Sequence, residues 1–432
     1  MGAQTIEPKQ ASSGMRTFLI IWAGQLVSMI GSGLTNFALG VWIYDQTGET
    51  TPFALTVLFG SLPRVLLAPV AGAIADRSNR RLIMILTDTG SALLTLVIAF
   101  VLFFSDGGLQ VWHIYVVAVI GSSFGVFQWS AYQPSITMMV PKKHFGRASG
   151  LIQAGGAVQG IIAPLLAGVL YVSIGLKGIV VIDFATFFFA IGALMFVRIP
   201  QPRASEETDG EERSMLKDAL FGWYYLVERR PLLVMLLYYA VVNFLLGMSS
   251  VLITPLVLSF NAASVLGIVN TVGSAGMLVG SLLMSAWGGP RRKMNGVYAF
   301  IALFSLGYLI IGLWESAIAI ALGMFVLLFS VPIAAGSSQV IWMSKVQPEL
   351  QGRVFAIRSM IATAISPLAY LIAGPLADGV FGPLMSEGGA LAGTVGGVIG
   401  VGQARGIGVI FILCGFLMLL VTAAAYAYPR LR

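Results

Sequence analysis

Charge is scarce in this chain. Only 10% of its 432 residues are Asp, Glu, Lys or Arg, against roughly 25% in soluble domains. Cysteine is nearly absent, and the single Cys414 excludes an intrachain disulfide. Two histidines, His113 and His144, and that one thiol are too few for a typical metal centre. No lysine follows a glycine, which excludes the phosphate loop GxxxxGK[ST] and ATP-driven work by this chain alone. The glycine-rich stretch 379–408 lacks GxGxxG and reads as a flexible or re-entrant outer loop. No cofactor is expected. No polar cluster of the kind an enzyme needs at one membrane face is visible, so the chain is not read as an enzyme. A cleavable signal is missing too, because the first apolar segment is too long for one.

Apolar residues fill the space, at 57% of the chain, and mean hydropathy is +0.90. A soluble fold of this length could not bury so much apolar surface, whereas lipid can take it. A crossing takes about 20 mostly apolar residues. Such segments run over 17–43, 52–75, 82–104, 111–139, 149–172, 178–197, 232–258, 264–287, 294–314, 317–342, 354–377 and 406–428. They are expected to be helices, since every backbone polar group in lipid must be paired internally.

Net charge is +7, but its placement argues against a nucleic-acid site. With the N-terminus inside, the inner segments hold Lys9, Arg16, Arg77, Arg80, Arg81, Lys142, Lys143, Arg147, Arg291, Arg292, Lys293, Lys345, Arg353, Arg430 and Arg432. The outer side keeps only Lys177 and Arg405. This bias sets orientation, with both termini cytoplasmic, and fits contact with anionic lipid heads.

The polar stretch 198–231 divides the chain into an N-terminal part, 1–197, and a C-terminal part, 232–432. Within it, Leu216, Leu220, Trp223 and Val227 recur at helical spacing over 215–231, as in an amphipathic helix on the inner membrane face. The parts also look related. Gly146-Arg147 and Gly352-Arg353 are 206 residues apart, and so are Ala167-Gly168 and Ala373-Gly374. Equal span counts with these matches support a parallel duplication.

The most informative segment links the second and third spans: Gly72, then Asp76-Arg77, then Asn79-Arg80-Arg81. It resembles the signature of the major facilitator superfamily. Asn79 stands where that signature has glycine, a residue that also tolerates left-handed backbone. The resemblance implies an all-α membrane protein of twelve transmembrane helices in two six-helix pseudo-symmetric halves. It also implies a conformational latch, in which Asp76 meets the N-terminal end of the eleventh span near Arg353, where free N–H groups favour an anion.

The resemblance narrows further. Ile21 to Gln25 with Ser28, Leu62-Pro63, Pro69, Asp88, Asp183 and Arg198 to Pro200 look like the macrolide-efflux type of drug exporter. That implies export of amphipathic small molecules against inward proton flow, from the cytoplasmic membrane of a bacterium, by a chain expected to act as a monomer. Siderophore exporters share much of this pattern, and a lipid transporter of the same fold or a non-transporting membrane scaffold are the other readings. Two places depart from it. The fourth span has no arginine, and the fifth-span motif stands as Ala163-Pro164-Leu-Leu-Ala167-Gly168.

Charges on spanning helices cost about 2.5–3.5 kcal/mol each on insertion scales, so they face a cavity or a partner. Asp88, Asp183 and Arg64 are such charges, and Arg358 starts the eleventh span. The acids read either as proton carriers or as members of structural ion pairs, and Arg64 as a partner for one of them. In this superfamily the first, fourth, seventh and tenth spans line the cavity. Gln25, Asn36, Gln128, Trp129, Tyr132, Tyr238, Asn243 and Gln339 are the lining candidates there, an apolar wall with scattered amides and aromatics.

Overall fold

The computed structural model describes residues 14–105, 108–141, 145–197, 224–347 and 350–428. For Asp76, Arg77, Arg147 and Arg353 it describes the backbone and not the side chain. The basic residues expected at 9, 142, 143, 430 and 432 lie outside the described residues.

Twelve helices among the described residues carry the fold. They are α1 (Met15–Thr47), α2 (Thr50–Leu66), α3 (Ala68–Arg77), α4 (Arg80–Phe104), α5 (Val111–Met139), α6 (Phe145–Phe196), α7 (Arg230–Leu258), α8 (Ala263–Trp287), α9 (Lys293–Leu313), α10 (Ala317–Lys345), α11 (Gln351–Pro375) and α12 (Arg405–Ala427). No strand occurs among the described residues. Ten helical segments among them are long and apolar enough to cross a membrane.

The expected spans and these helices differ in two places. The segment 52–75 is two helices, broken at Leu67. Pro69 has no N–H to close an intrahelical bond, and its ring disfavours helical geometry at the residue before it. The segments 149–172 and 178–197 lie in one element, α6, which is two helices joined across a kink at Gly175, φ 67° and ψ −175°. A positive φ there is open to glycine and strained for other residues.

The helices gather into α1–α6 and α7–α12. In the second group the core runs along α7, where Leu236, Leu245, Val251, Leu252 and Leu256 are almost wholly buried. The first group has two smaller cores, one around Phe18, Met84 and Leu194, the other around Ala38, Ile43, Ile114 and Ile179. Arg80 and Arg81 begin α4, Arg291 and Arg292 precede α9, Lys293 begins it, and Lys345 ends α10. This end of the bundle is called the basic end below.

Between the groups, α6 packs on α8 and α2 packs on α11. The glycines 206 residues apart make these two contacts. A methyl group on Gly168 would stand 2.7 Å from the Ala263 carbonyl oxygen, and one on Gly374 would stand 2.6 Å from the Thr51 Cα. Only a residue without Cβ allows backbones so close. Thr271 also donates its hydroxyl to the Ile161 carbonyl, at 3.0 Å. At the start of α2, Asp378 reaches across from the turn that follows α11. Its carboxylate accepts the Thr50 N–H at 3.1 Å, and the Thr51 N–H and hydroxyl at 2.6 Å each. An acid from one group thus caps a helix of the other, filling orphan donors of the first turn.

The glycine-rich stretch is not the flexible loop expected. It folds as a π-helical turn, Leu376–Phe381, and two four-residue helices, Gly382–Met385 and Gly396–Ile399. Met385, Ile399 and Val409 bury a small apolar core of their own, and Arg405 donates to the Gly312 carbonyl at 3.0 Å. Burying those side chains sets its conformation despite the glycines. Of the amphipathic helix expected over 215–231, Leu216, Leu220 and Trp223 lie outside the described residues. Residues 224–228 are helical. Tyr225 and Leu226 join the core of the second group, and Arg229 sits over the Tyr225 ring at 3.7 Å.

Candidate functional site

The motif after α2 forms the link between α3 and α4 at the basic end. Asn79 is not left-handed, as expected, but extended (φ −67°, ψ 104°), and it serves as the N-cap of α4. Its side chain accepts the Leu82 N–H at 3.1 Å. Arg80 is buried and donates to the Ala75 carbonyl at 3.2 Å, tying α4 to the last turn of α3. Arg81 donates to the carbonyls of Leu194 and Met195, both at 3.0 Å. These are orphan acceptors at the end of α6. All of these bonds lie within the first group. Gly72 has open space where a side chain would go. The side chains of Asp76, Arg77 and Arg353 lie outside the described residues, so the latch contact itself does too.

Three expected residues do come together. Gln25 on α1 donates to Asp88 Oδ2 at 2.9 Å. Gln128 on α5 donates to Asp88 Oδ1 at 3.1 Å and to Gln25 Oε1 at 3.2 Å. Thr87 in turn donates its hydroxyl to Gln128 Oε1. Asp88 lies about 12 Å along α4 from the basic end, at 1.5 Å per residue. Each carboxylate oxygen has an amide donor, and no cation pairs with this acid among the described residues. Arg64 is not its partner. That side chain is exposed and pairs with no acid among the described residues.

Asp183, on the second part of α6, sits apart and is buried. Its oxygens accept the hydroxyls of Ser32 and Thr95, each at 3.3 Å, linking α6 to α1 and α4. Hydroxyls thus stand where an ion-pair partner was expected.

A cavity of about 430 Å³ opens within the second group, bounded by α7, α9, α10 and α11. Of the lining candidates, Asn243 and Gln339 face this cavity, which lies within one group and not between the first, fourth, seventh and tenth spans. Tyr238 does not, since its hydroxyl meets Thr422 on α12 at 3.0 Å. Its neighbour Tyr239, one helical step round, faces the cavity and donates to the Ala334 carbonyl at 2.8 Å. Sequence reasoning missed it because both tyrosines carry the same chemistry, and only the rotation of α7 separates them. Arg358, read from the sequence as a charge at the start of a span, was not among the lining candidates. Arg358 donates to Gln339 Oε1 at 2.8 Å and lies 5.0 Å from the Trp342 ring centre. Phe300, Phe304 and Phe355 supply apolar wall. On the α1 and α5 side, Tyr132 is buried beneath an exposed Trp129, their rings 6.3 Å apart, and Asn36 is exposed.

Known proteins of similar sequence and fold are transporters. The family model described as Major Facilitator Superfamily matches residues 21–370. The chain is 26% identical over 370 residues to Macrolide efflux protein A of Streptococcus pyogenes, covering 84% of this chain and 89% of that protein. It is 26% identical over 434 residues to Multidrug efflux pump Tap of Mycolicibacterium fortuitum, covering 96% of each. Among solved structures, a bacterial homologue of the human lysosomal transporter Spinster, inward-facing and unoccupied, superposes with a TM-score of 0.70 at 15% identity, over 95% of both chains. The nucleoside transporter NupG gives 0.68 at 12% identity, over 96% of this chain and 100% of that one.

Proposed function

The chain belongs to the major facilitator superfamily, and on that premise we propose that it exports amphipathic small molecules by alternating access, in exchange for protons. The observation that carries the proton part is Asp88, a half-buried carboxyl group held by two amides and no cation among the described residues. Such a group can hold a proton in one state and lose it in another without breaking an ion pair. Amides suit both forms, because they donate to the carboxylate and can turn to accept from the acid. The similarity to proteins named for macrolide and multidrug efflux supports export as the direction.

In this proposal the basic end is cytoplasmic, following the bias of Lys and Arg, and the membrane is the bacterial inner one. Twelve crossings result when α2 and α3 cross as one span and α6 crosses twice, turning at Gly175. The two six-helix groups then rock about a midplane site. The contacts of Gly168, Gly374 and Asp378 belong to the state in which the outer ends are joined. Asp76 is the counterpart at the basic end, meeting α11 when the inner ends join.

The test compares Asp88→Asn with wild type in vesicles. With an inward proton gradient, wild type should drive uphill efflux of a macrolide or a cationic dye. Asp88→Asn, at equal membrane abundance, should lose uphill efflux yet keep downhill exchange. Full gradient-driven pumping by that variant removes Asp88 as the proton carrier.

A further inference from the structure

The cavity of the second group has a chemistry of one sign. Arg358 brings a guanidinium with five N–H donors, of which Gln339 Oε1 occupies one direction. The Gln339 amide nitrogen adds two donors. Three acceptors nearby are used. The Ala334 carbonyl takes the Tyr239 hydroxyl, the Tyr239 carbonyl takes the Asn243 amide, and Gln339 Oε1 takes Arg358. Among the described residues, neither an aspartate nor a glutamate lines the cavity, and Arg358 pairs with no carboxylate. Apart from Ser330 and Ser359 the remaining wall is apolar, with Phe300, Phe304 and Phe355 among its residues.

Arg358 lies about 11 Å along α11 from the basic end, close to the depth of Asp88 on α4. The two groups thus place opposite charges at similar depth, each touching an amide. The acid has its donors, while the guanidinium has donors to spare. A half-buried cation without a counterion is costly in an apolar setting unless a ligand completes it. About 430 Å³ is within the range of small-molecule sites.

We propose that this cavity is a substrate subsite for amphipathic organic anions, with Arg358 gripping a carboxylate or similar oxyanion head and the phenylalanines covering its apolar body. Gln339 is a positioning residue that holds the guanidinium plane. The subsite rests on the export reading above only for what happens after binding.

The experiment uses the full chain in nanodiscs of zwitterionic lipid and three radiolabelled probes with one apolar body: a naphthylbutanoic acid, its amide, and the amine of equal length. A charge-assisted contact of this kind is worth about tenfold or more in affinity. The acid should bind at least about tenfold more tightly than the amide, and the amine weakest. Arg358→Gln should remove that preference while keeping amide binding. Arg358→Lys should keep the preference in reduced form, because it retains the charge and loses the fork. Displacement by oleate assigns the head group to a membrane amphiphile, and displacement by benzoate without oleate to a soluble acid; either supports the subsite. Equal binding of the three probes by wild type, which needs no variant, overturns it. So does an unchanged acid preference in well-folded Arg358→Gln. Acid preference without gradient-driven flux of any probe would keep the subsite and sink the export reading. Gradient-driven export of the amine with no preference for the acid would do the reverse.

Discussion

The two intramembrane acids have the same formula and different surroundings. Asp88 takes two amide donors from α1 and α5. Asp183 takes two hydroxyls from α1 and α4. Hydroxyls can donate or accept, so an amide in place of Asp183 can rebuild most of its contacts. Asp183→Asn is therefore expected to keep gradient-driven export and to lose stability, by about 1–2 kcal/mol for weakened buried hydrogen bonds. A lower melting midpoint with intact uphill flux is the result that fits, and loss of uphill flux in a stable variant would move Asp183 into the proton path. Both acids were visible in the sequence as charges inside spans. Their partners were not, because Gln25, Gln128, Ser32 and Thr95 are brought together by helix rotation, which hydropathy does not encode. Arg64 shows the same limit from the other side: a charge in a span, read as a partner, that stands exposed.

At the scale of elements, the sequence repeat carried more than a trace of duplication. Gly168 and Gly374, 206 residues apart, are the points where the helix groups touch backbone to backbone. An alanine at 374 would set its methyl 2.6 Å from the Thr51 Cα, and backbone cannot give way as a side chain can. Gly374→Ala is expected to disfavour the joined form while leaving each group folded, since α11 tolerates alanine well. Overpacking costs of about 1–3 kcal/mol translate into a shift in population of about fivefold to a hundredfold. Spin labels at the start of α2 and the end of α11 should read longer distances in the variant. An unchanged distribution would mean the helices slide past the added methyl. Helix existence was legible throughout, because lipid demands long apolar runs. The breaks at Leu67 and Gly175 were not, since a span read by composition has no internal direction.

For the whole molecule, the joined end is held by few polar contacts, and Asp378 supplies three of them. A carboxylate at a helix N-terminus contributes about 0.5–2 kcal/mol, enough to move a balanced equilibrium several-fold. Asp378→Ala should raise the share of molecules with the outer ends apart. Faster labelling of a cysteine placed at Asn36, by a reagent confined to the outside of intact cells, is the expected readout. Labelling no faster than in the Asn36 cysteine parent would reduce Asp378 to an ordinary cap. This residue was passed over in the sequence because its stretch read as loose and glycine-rich.

That stretch has a practical consequence. From Leu376 to the start of α12 the chain is folded on its own apolar core and fastened to α9 through Arg405 and the Gly312 carbonyl. It caps one helix group and has no counterpart of similar length among the described residues of the other. It is a built-in fiducial, moving as cargo on the group that bears it. An antibody fragment bound there would keep a fixed bearing to α9 and α12 and swing against α1 through the cycle. One rigid marker would then report which group tilts, and by how much, without any change to the helices themselves.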